Sequence, residues 1–522
     1  MSKITKTKLS ELLNLRHKDN PYAKLSTLPS PENFKDIHLA TKRVKEAILN
    51  NEKITIVGDY DVDGVISTTI MIDFFNTIGY AVDYIIPNRF EHGYGLSPKI
   101  TELIDEGLVI TVDNGISAIE ASKILHQKGI DLIITDHHTI PKELPIALAI
   151  INPKQEECNF EFKEICGAQV AWYFCAAIKN AMNLKVDMAK FLDILSIAII
   201  ADIMPMTSLN YTMVKHGLKK IKTSSRPALI ELNELMQKSN FTSDDIGFFI
   251  APKINSAGRM EDASTALSFL LAKTQQEASD ALELLNELNN YRKILQEEIS
   301  QKAINEVQEE EDHAVIVWGE DWHEGVIGIV ASKLSNKFKK PAFIFSINND
   351  IAKGSARANG DINLHSIISQ ASDLLLGFGG HKNAAGLSLR KEHLEQFKTT
   401  INQAVSQCQE ALHIEPHTLG ELDVDSVDLE FIDIIEQYEP YGLDNLKPIF
   451  KVSNAQVVNC VLFGKEKNHL KLLLNSSGFI FEAIKFNTRT TVIKEEVDII
   501  VSLNKNEFRG DVKAQFLVHQ IL

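Results

Sequence analysis

The chain has 522 residues, a formal net charge of −16 at pH 7, 44% hydrophobic and 24% charged residues. That length allows several domains with real cores, and the ordinary composition excludes a disordered or fibrous class. The acidic balance excludes a protein that coats nucleic acid through a general basic field, although carboxylates gathered around divalent cations would be neutralised in use.

The opening MSKITKTKLSELLNLRHKDN has no apolar h-region. The most apolar later run, FLDILSIAIIADIMPM, is too short and too acidic to cross a bilayer, so a soluble cytoplasmic protein is expected. Cys158, Cys166, Cys175, Cys408 and Cys460 form no CxxC pair, which argues against a zinc knuckle or a disulfide scaffold.

From Lys53 to Pro153 short apolar runs alternate with helical patterns: ITIVG, VISTTIMIDFFNTIG, AVDYIIP, LVITVD, ISAIEASKILHQKG, DLIITD and ALAIINP. Strands alternating with helices that stop at Gly79 and Gly129 predict βαβ units and a mostly parallel sheet, whose ligands bind beyond the carboxyl ends of the strands. Acids fall there repeatedly. Asp59, Asp61 and Asp63 follow the first strand in GDYDVDG, Asp113 ends LVITVD, and Asp136 ends DLIITD with His137 and His138 next. An EF-hand reading of GDYDVDG fails, because the twelfth position from Asp59 is Ile70, which has no oxygen to give, and a strand precedes the loop.

Residues from about 165 to 270 read as mostly helical, and the FLDILSIAIIADIMP run ends at Asp202, an acid where the helix dipole disfavours one. A cation would supply the reason. Thr274 and Glu277 form a capping box opening a long segment with one narrow leucine stripe, read as a connecting helix reaching roughly 55 Å at 1.5 Å per residue. A coiled-coil dimer arm is the alternative, disfavoured by unsustained heptads. A second α/β unit follows with HAVIVWG, GVIGIVASKLSNKF, PAFIFS, AKGSARA, a helix from about Leu364 and the cluster GFGGHKNAAG. The last hundred residues are short alternating strands that predict a small barrel such as an OB-fold. The expected division is 1–215, a parallel-sheet domain with an N-terminal extension; 216–311, helical with the connecting helix; 312–412, the smaller α/β domain; and 413–522, the barrel.

A two-metal hydrolase needs several hard ligands converging on one sheet edge, with one carboxylate shared between the ions. Asp59, Asp61, Asp63, Asp113, His137, His138 and Asp202 are the candidates, and D-x-D-x-D on a sharp strand-to-helix turn supplies several at once, with Gly64 letting the backbone turn. Each piece alone reads equally as a solvated cap or a polar core residue. Several of them at the ends of several strands are harder to explain that way.

GDYDVDG, VDNG, DHH and ADIMPM, in this order and on these elements, resemble the four motifs of the DHH phosphoesterase superfamily. GRM, WHEGVIGIVASKL, GSARA and FGGHKNAAGLSL are similar to the DHHA1 half of its RecJ-type branch, the single-strand-specific DNA exonucleases, and YEPYGLDNLKPIF leads into a terminal barrel. The resemblance covers nearly the whole chain. It implies an α/β DHH domain joined by a long helix to a DHHA1 domain and an OB-like barrel, and metal-dependent 5′ to 3′ hydrolysis of single-stranded DNA to 5′ mononucleotides in DNA repair and recombination. It places Asp59 and Asp61 on one divalent cation, Asp63, His137 and Asp202 on a second, and Asp113 between them; the first motif often opens with histidine in the superfamily, and Asp59 stands at that position, as is usual for the exonuclease branch. His138 would face the substrate phosphate as a donor, and Asp136 would orient a histidine. Two Mn²⁺ or Mg²⁺ ions are implied, the histidine ligand favouring Mn²⁺.

Arg89, Arg259, Ser355 and Arg357 match positions that hold phosphate in this branch, and Gly379, Gly380 and His381 bring backbone close to the nucleotide. Surface salt bridges and loop caps are the plain alternative for each. Phe450, Phe463, Phe479, Phe481 and Phe508 are candidate base-stacking rings, most of them expected in the barrel core. Expected partners are single-stranded DNA, with a single-strand-binding protein and a helicase as further candidates, and a monomer suffices. The rival readings are a family phosphodiesterase for short oligonucleotides or cyclic dinucleotides, which would lack the barrel; a family pyrophosphatase; and a non-catalytic nucleic-acid-binding scaffold, which would have eroded acids.

Overall fold

The computed structural model describes residues 3–307, 312–408, 417–464, 467–488, 494–508 and 511–522, with Glu507 and Phe508 described by backbone alone. Five parallel strands form the first sheet: β1 (Ile54–Val57), β2 (Asp83–Ile85), β3 (Leu108–Val112), β4 (Asp131–Thr135) and β5 (Ala149–Ile151), in the order β2-β1-β3-β4-β5. Every residue of β1, β3 and β5 is buried, because helices cover both faces, and this is why these runs are continuously apolar rather than alternating. The strand order reverses between β1 and β3. A crevice opens at such a reversal beyond the carboxyl ends, and there the two adjacent strands deliver GDYDVDG and Asp113.

The connecting helix runs Gln275–Glu306, opened by the Thr274–Glu277 capping box. Its 32 residues reach about 48 Å at 1.5 Å per residue, shorter than expected because it stops at Glu306. Its stripe is divided between two cores. Ala278, Ala281, Leu282 and Leu285 pack into the first lobe, while Ile299 and Ala303 pack against the second, beside Val326 and Val330. The helix is therefore a spine stitched at both ends.

The second lobe is a mixed sheet, β6 (Val315–Glu320), β7 (Ala342–Asn348), β8 (Ile351–Arg357), β9 (Leu375–Gly380) and β10 (Ala384–Arg390), ordered β6-β7-β8-β10-β9, with the helix Glu324–Phe338 against β7 and β8. The last strands, β11 (Phe450–Phe463), β12 (His469–Ser476), β13 (Phe479–Lys485), β14 (Glu496–Phe508) and β15 (Asp511–Ile521), close a barrel in the order β11-β12-β13-β15-β14. Phe450 and Phe481 fill its core. Phe463 is half-buried, Phe479 is at the surface, and the Phe508 side chain lies outside the described residues.

The N-terminal segment, expected with the first sheet, is divided. Ile4 bridges Leu422, and the helix Lys6–His17 buries Leu9 and Leu13 in the barrel-side core, beside Phe431 and Ile432. Short local windows cannot show a partner more than 400 residues away. The segment leading into the barrel is itself fixed to the first lobe: Met206 N–H donates to Leu443 O at 2.7 Å, and Glu439 accepts from Ser243 Oγ at 2.7 Å. The expected divisions near 311 and 412 lie outside the described residues.

Candidate active site

The turn after β1 is built by close approach. A Cβ on Gly64 would stand 2.5 Å from Asp59 Cβ, and one on Gly58 would stand 2.1 Å from Thr68 Oγ1, so only glycine lets the helix Val62–Thr77 start this tightly. Asp61 caps that helix, its Oδ1 accepting from Gly64 N–H at 3.0 Å. Asp63 turns the other way, into the amino end of the helix Gly167–Ala181, where it accepts from Gly167 N–H at 2.6 Å and Ala168 N–H at 2.8 Å. Gly167 must also be glycine: a Cβ there would meet Asp113 Oδ1 at 2.3 Å.

Asp113 itself has φ +62, and Asp202 is followed by Ile203 at φ +55. Asp tolerates the left-handed region, whereas a β-branched residue there is strained, a cost of order 1–3 kcal/mol that clusters at functional sites. Asn114, fully buried, holds the two strand ends together. Its amide donates to Val57, Gly58 and Val112 carbonyls at 2.9–3.0 Å, and its oxygen accepts from Leu96 N–H.

The predicted acids converge as three overlapping groups whose ligand atoms lie within 4.8 Å of one another: Asp59, Asp61 and Asp113; Asp63, His137 and Asp202; Asp113, His137 and His138. His137 Nε2 is 3.2 Å from Asp113, 3.7 Å from Asp202 and 3.8 Å from Asp63. Asp59 Oδ1, Asp113 Oδ1, Asp202 Oδ2 and His137 Nδ1 are buried without a hydrogen-bond partner. Burial first, then neighbouring carboxylates, push Asp59, Asp113 and Asp202 well above the ordinary carboxylate range. Burial also lowers His137 to about 4, keeping it neutral. A neutral imidazole amid crowded, unpartnered carboxylate oxygens is a donor set that fits hard divalent cations.

Asp136 is occupied differently. Its Oδ1 accepts from both histidine N–H groups and meets His138 Nδ1 at 2.7 Å, while Oδ2 accepts from Ile116 N–H. Burial alone would lower His138, but the Asp136 bond and nearby carboxylates raise it to about 9. Its ring thus stays protonated with Nε2 on the open side, 3.5 Å from Tyr94 Oη.

Where the lobes meet, beside the acids, the charge reverses, with Arg89 and Arg259 on the first lobe and Arg357 on β8 of the second. Arg89 lies over the Tyr60 ring at 5.3 Å, Arg259 donates to Gly325 O at 3.3 Å, and Arg357 donates to Ser355 Oγ at 3.2 Å. None of the three arginines has an ion-pair partner among the described residues. Burial first, then Arg89 and Arg357, lower Arg259 to about 10. Glycines again set the spacing. A Cβ on Gly258 would stand 2.2 Å from Tyr60 O, and one on Gly325 would stand 1.9 Å from Arg259 O, so this short backbone segment is sandwiched between the metal-side loop and the second lobe. Asn255 adds a bond from Val62 N–H at 3.2 Å. His381 sits in the β9–β10 turn, lowered by burial and then by the charges of His138 and Lys154 across the cleft. Gly379 faces open space, Gly380 takes φ +147, and neighbouring Lys382 is drawn to Asp361 at 2.5 Å.

The chain matches the DHH family N-terminal domain over residues 53–199, the DHHA1 domain over 295–407 and the RecJ OB domain over 420–520. It is 33% identical to the single-stranded-DNA-specific exonuclease RecJ of Haemophilus influenzae, over 98% of this chain and 96% of that protein. The chain belongs to the RecJ family. The Escherichia coli RecJ is 29% identical over 93% of this chain and 90% of its own length. The structure of Thermus thermophilus RecJ in complex with Mn²⁺ superposes with a TM-score of 0.84 at 26% identity, covering 99% of this chain and 76% of that one.

Asn114, Gly167, Asn255, Gly258 and Gly325 were not singled out from sequence as site residues. Asn114, Gly258 and Gly325 stand inside the motifs VDNG, GRM and WHEGVIGIVASKL, and Gly167 is the first residue of its helix, directly after the N-cap Cys166.

Proposed function

We propose that this RecJ-family chain hydrolyses single-stranded DNA from the 5′ end, releasing 5′ mononucleotides. The observation that carries it is the pair of neighbouring clusters: carboxylates at the β1–β3 edge with unpartnered oxygens, and Arg89, Arg259 and Arg357 without ion-pair partners among the described residues where the lobes meet. We assign Asp59, Asp61 and Asp113 to one cation and Asp63, His137 and Asp202 to the other, with Asp113 shared. Mn²⁺ and Mg²⁺ are the expected ions, in keeping with the Mn²⁺ and Mg²⁺ complexes of the Thermus thermophilus enzyme. When bound, the pair supplies Lewis-acid charge and an activated water for in-line attack. The chain's own residues do the rest. His138, held protonated by Asp136, donates to a non-bridging oxygen of the scissile phosphate. Ser355, Arg357, Arg259 and Arg89 grip the terminal phosphate, and Gly379, Gly380 and His381 close on the nucleotide.

Mononucleotide release rests on the family resemblance and is supported by a fixed pocket. Gly258 and Gly325 pin Arg259 between Tyr60 and the second lobe, so the terminal phosphate is seated at a fixed distance from the metal-side loop. The expected partner is single-stranded DNA in the cytoplasm, handled by a monomer, and no described helix is long and apolar enough to cross a membrane. Single-strand-binding protein and helicase partners rest on the family alone. We divide the chain at about 215, 311 and 412, with Lys6–His17 assigned to the barrel. A 5′-labelled single strand incubated with Mn²⁺ should yield labelled mononucleotide from the first time point. Labelled fragments of several nucleotides, or equal cutting of a duplex, would overturn this reading.

A further inference from the structure

The formal net charge is −16, yet from Ile203 to Ile230 the chain has no acid at all and carries Lys215, Lys219, Lys220, Lys222 and Arg226. Most of this lies on one helix, Ser208–Thr223. Elsewhere lysines are drawn to carboxylates, as Lys333 to Glu297 and Lys505 to Asp433 and Glu436. On this helix the four lysines have no carboxylate partner among the described residues. Lys215 donates to Tyr211 Oη at 3.1 Å and Lys222 to Lys238 O at 2.6 Å, while Lys219 and Lys222 are exposed. Arg226 is the exception, bonded to Asp73 at 2.7 Å.

The same sign arrives from a second element. His17 stacks on Tyr211 at 4.2 Å, and burial first, then Lys215 and Arg16, hold its proton affinity down. Every charged group acting on His216 is likewise a lysine. Five cationic side chains on two elements are thus left without counter-charge in an acidic protein. An unbalanced field of this kind is destabilising alone and is relieved by a polyanion.

Its position says which one. The helix begins six residues after Asp202, at the seam where Met206 N–H meets Leu443 O of the segment leading into the barrel. From Ser208 to Lys222 it leads away from the metal cluster by about 21 Å at 1.5 Å per residue. We propose that Lys215, Lys219, Lys220 and Lys222, with Arg16, form a track for the phosphodiester backbone of the substrate's downstream, uncut portion. The inference rests on the single-strand nuclease reading above and adds a second contact zone to it. An acidic segment of a partner protein is the rival occupant.

The test uses the full chain carrying Lys219→Gln, Lys220→Gln and Lys222→Gln together. Turnover with Mn²⁺ is compared on 5′-phosphorylated single strands of about 5 nucleotides, near the lower end of what one barrel covers, and of about 40. On the long strand kcat/KM should fall about tenfold. Its dependence on log salt should flatten by about 2, since each lost single-strand phosphate contact removes about 0.7. On the short strand it should stay within about twofold, which also reports that the variant is folded. An unchanged long-strand rate, as a protein-docking face would give, or equal losses on both lengths, would overturn the track. A wild-type chain that leaves both strands uncut would overturn the nuclease reading and the track with it, and the wild-type reactions alone reveal that case.

Discussion

The carboxylate cluster and the arginine wall face each other with opposite failings. Asp59 and Asp113 are buried and Asp202 half-buried, each with an oxygen atom unpartnered, and Arg89, Arg259 and Arg357 have no acid to pair with among the described residues. No salt bridge joins the two sets among the described residues, although Arg89 acts on Asp59 and Asp61 on Arg259. The acids are fixed by helix ends and by glycines that tolerate no Cβ, and the Arg259 backbone by the Gly258–Gly325 sandwich. Charge withheld from its opposite within the chain is charge available to a ligand, so one side wants cations and the other wants phosphate.

The acid side should break hardest. Asp113→Asn keeps a residue that tolerates the left-handed backbone, and kcat with Mn²⁺ should fall on the order of 10³-fold or more, beyond the loss of a single transition-state donor. Without metal the order of stability should invert: removing one buried carboxylate from the crowd should raise the melting temperature of Asp113→Asn above wild type. Wild type at 100 times its Mn²⁺ dissociation constant should gain about 2.7 kcal/mol that the variant does not. A variant that melts lower without metal would show that Asp113 is structurally satisfied.

Asp136→Asn tests orientation rather than charge density. A loss of about 10–100-fold is expected, as for other groups that orient a site histidine. Little change in rate would leave His138 without its assigned role. Arg357→Gln probes the opposite wall, where a charged hydrogen bond is worth about 1.5–3 kcal/mol. That predicts about a 10- to 100-fold loss on a 5′-phosphorylated strand and a smaller one on a 5′-hydroxyl strand. Equal losses would place Arg357 outside the terminal-phosphate pocket. The smallest effect belongs to the barrel. Phe486, half-exposed, meets His469 at 5.1 Å, and His469 meets Phe463 at 5.3 Å, a ring platform of which sequence reading picked out only Phe463. Phe486→Ala should raise KM for a long strand by the cost of about one lost base stack, about 1–3 kcal/mol, with kcat unchanged.

The two walls were not equally legible. The parallel sheet shows in β-branched runs closed by acids, because burial on both faces removes polar residues and the strand ends must carry the chemistry. The arginines look like any loop arginine in sequence, and their meaning comes from three segments meeting, which only the family resemblance anticipated. Asn114, Gly167 and Gly258 escaped because each is defined by what another segment would collide with or bond to. The N-terminal helix escaped for the same reason at longer range, since its leucines fit any core equally well.

That helix has a consequence in time. Lys6 bonds to Asp428 and Glu430, more than 420 residues further on, and Leu9 and Leu13 share their core with the barrel. During synthesis at about 5–20 residues per second, the first helix waits roughly 20–80 s for the surface that buries it. An early-made helix is thus among the later segments to find its partners. Until the barrel closes, its leucines are open to chaperones, and the fold is held by a clasp that fastens only once residues more than 400 positions downstream have been made.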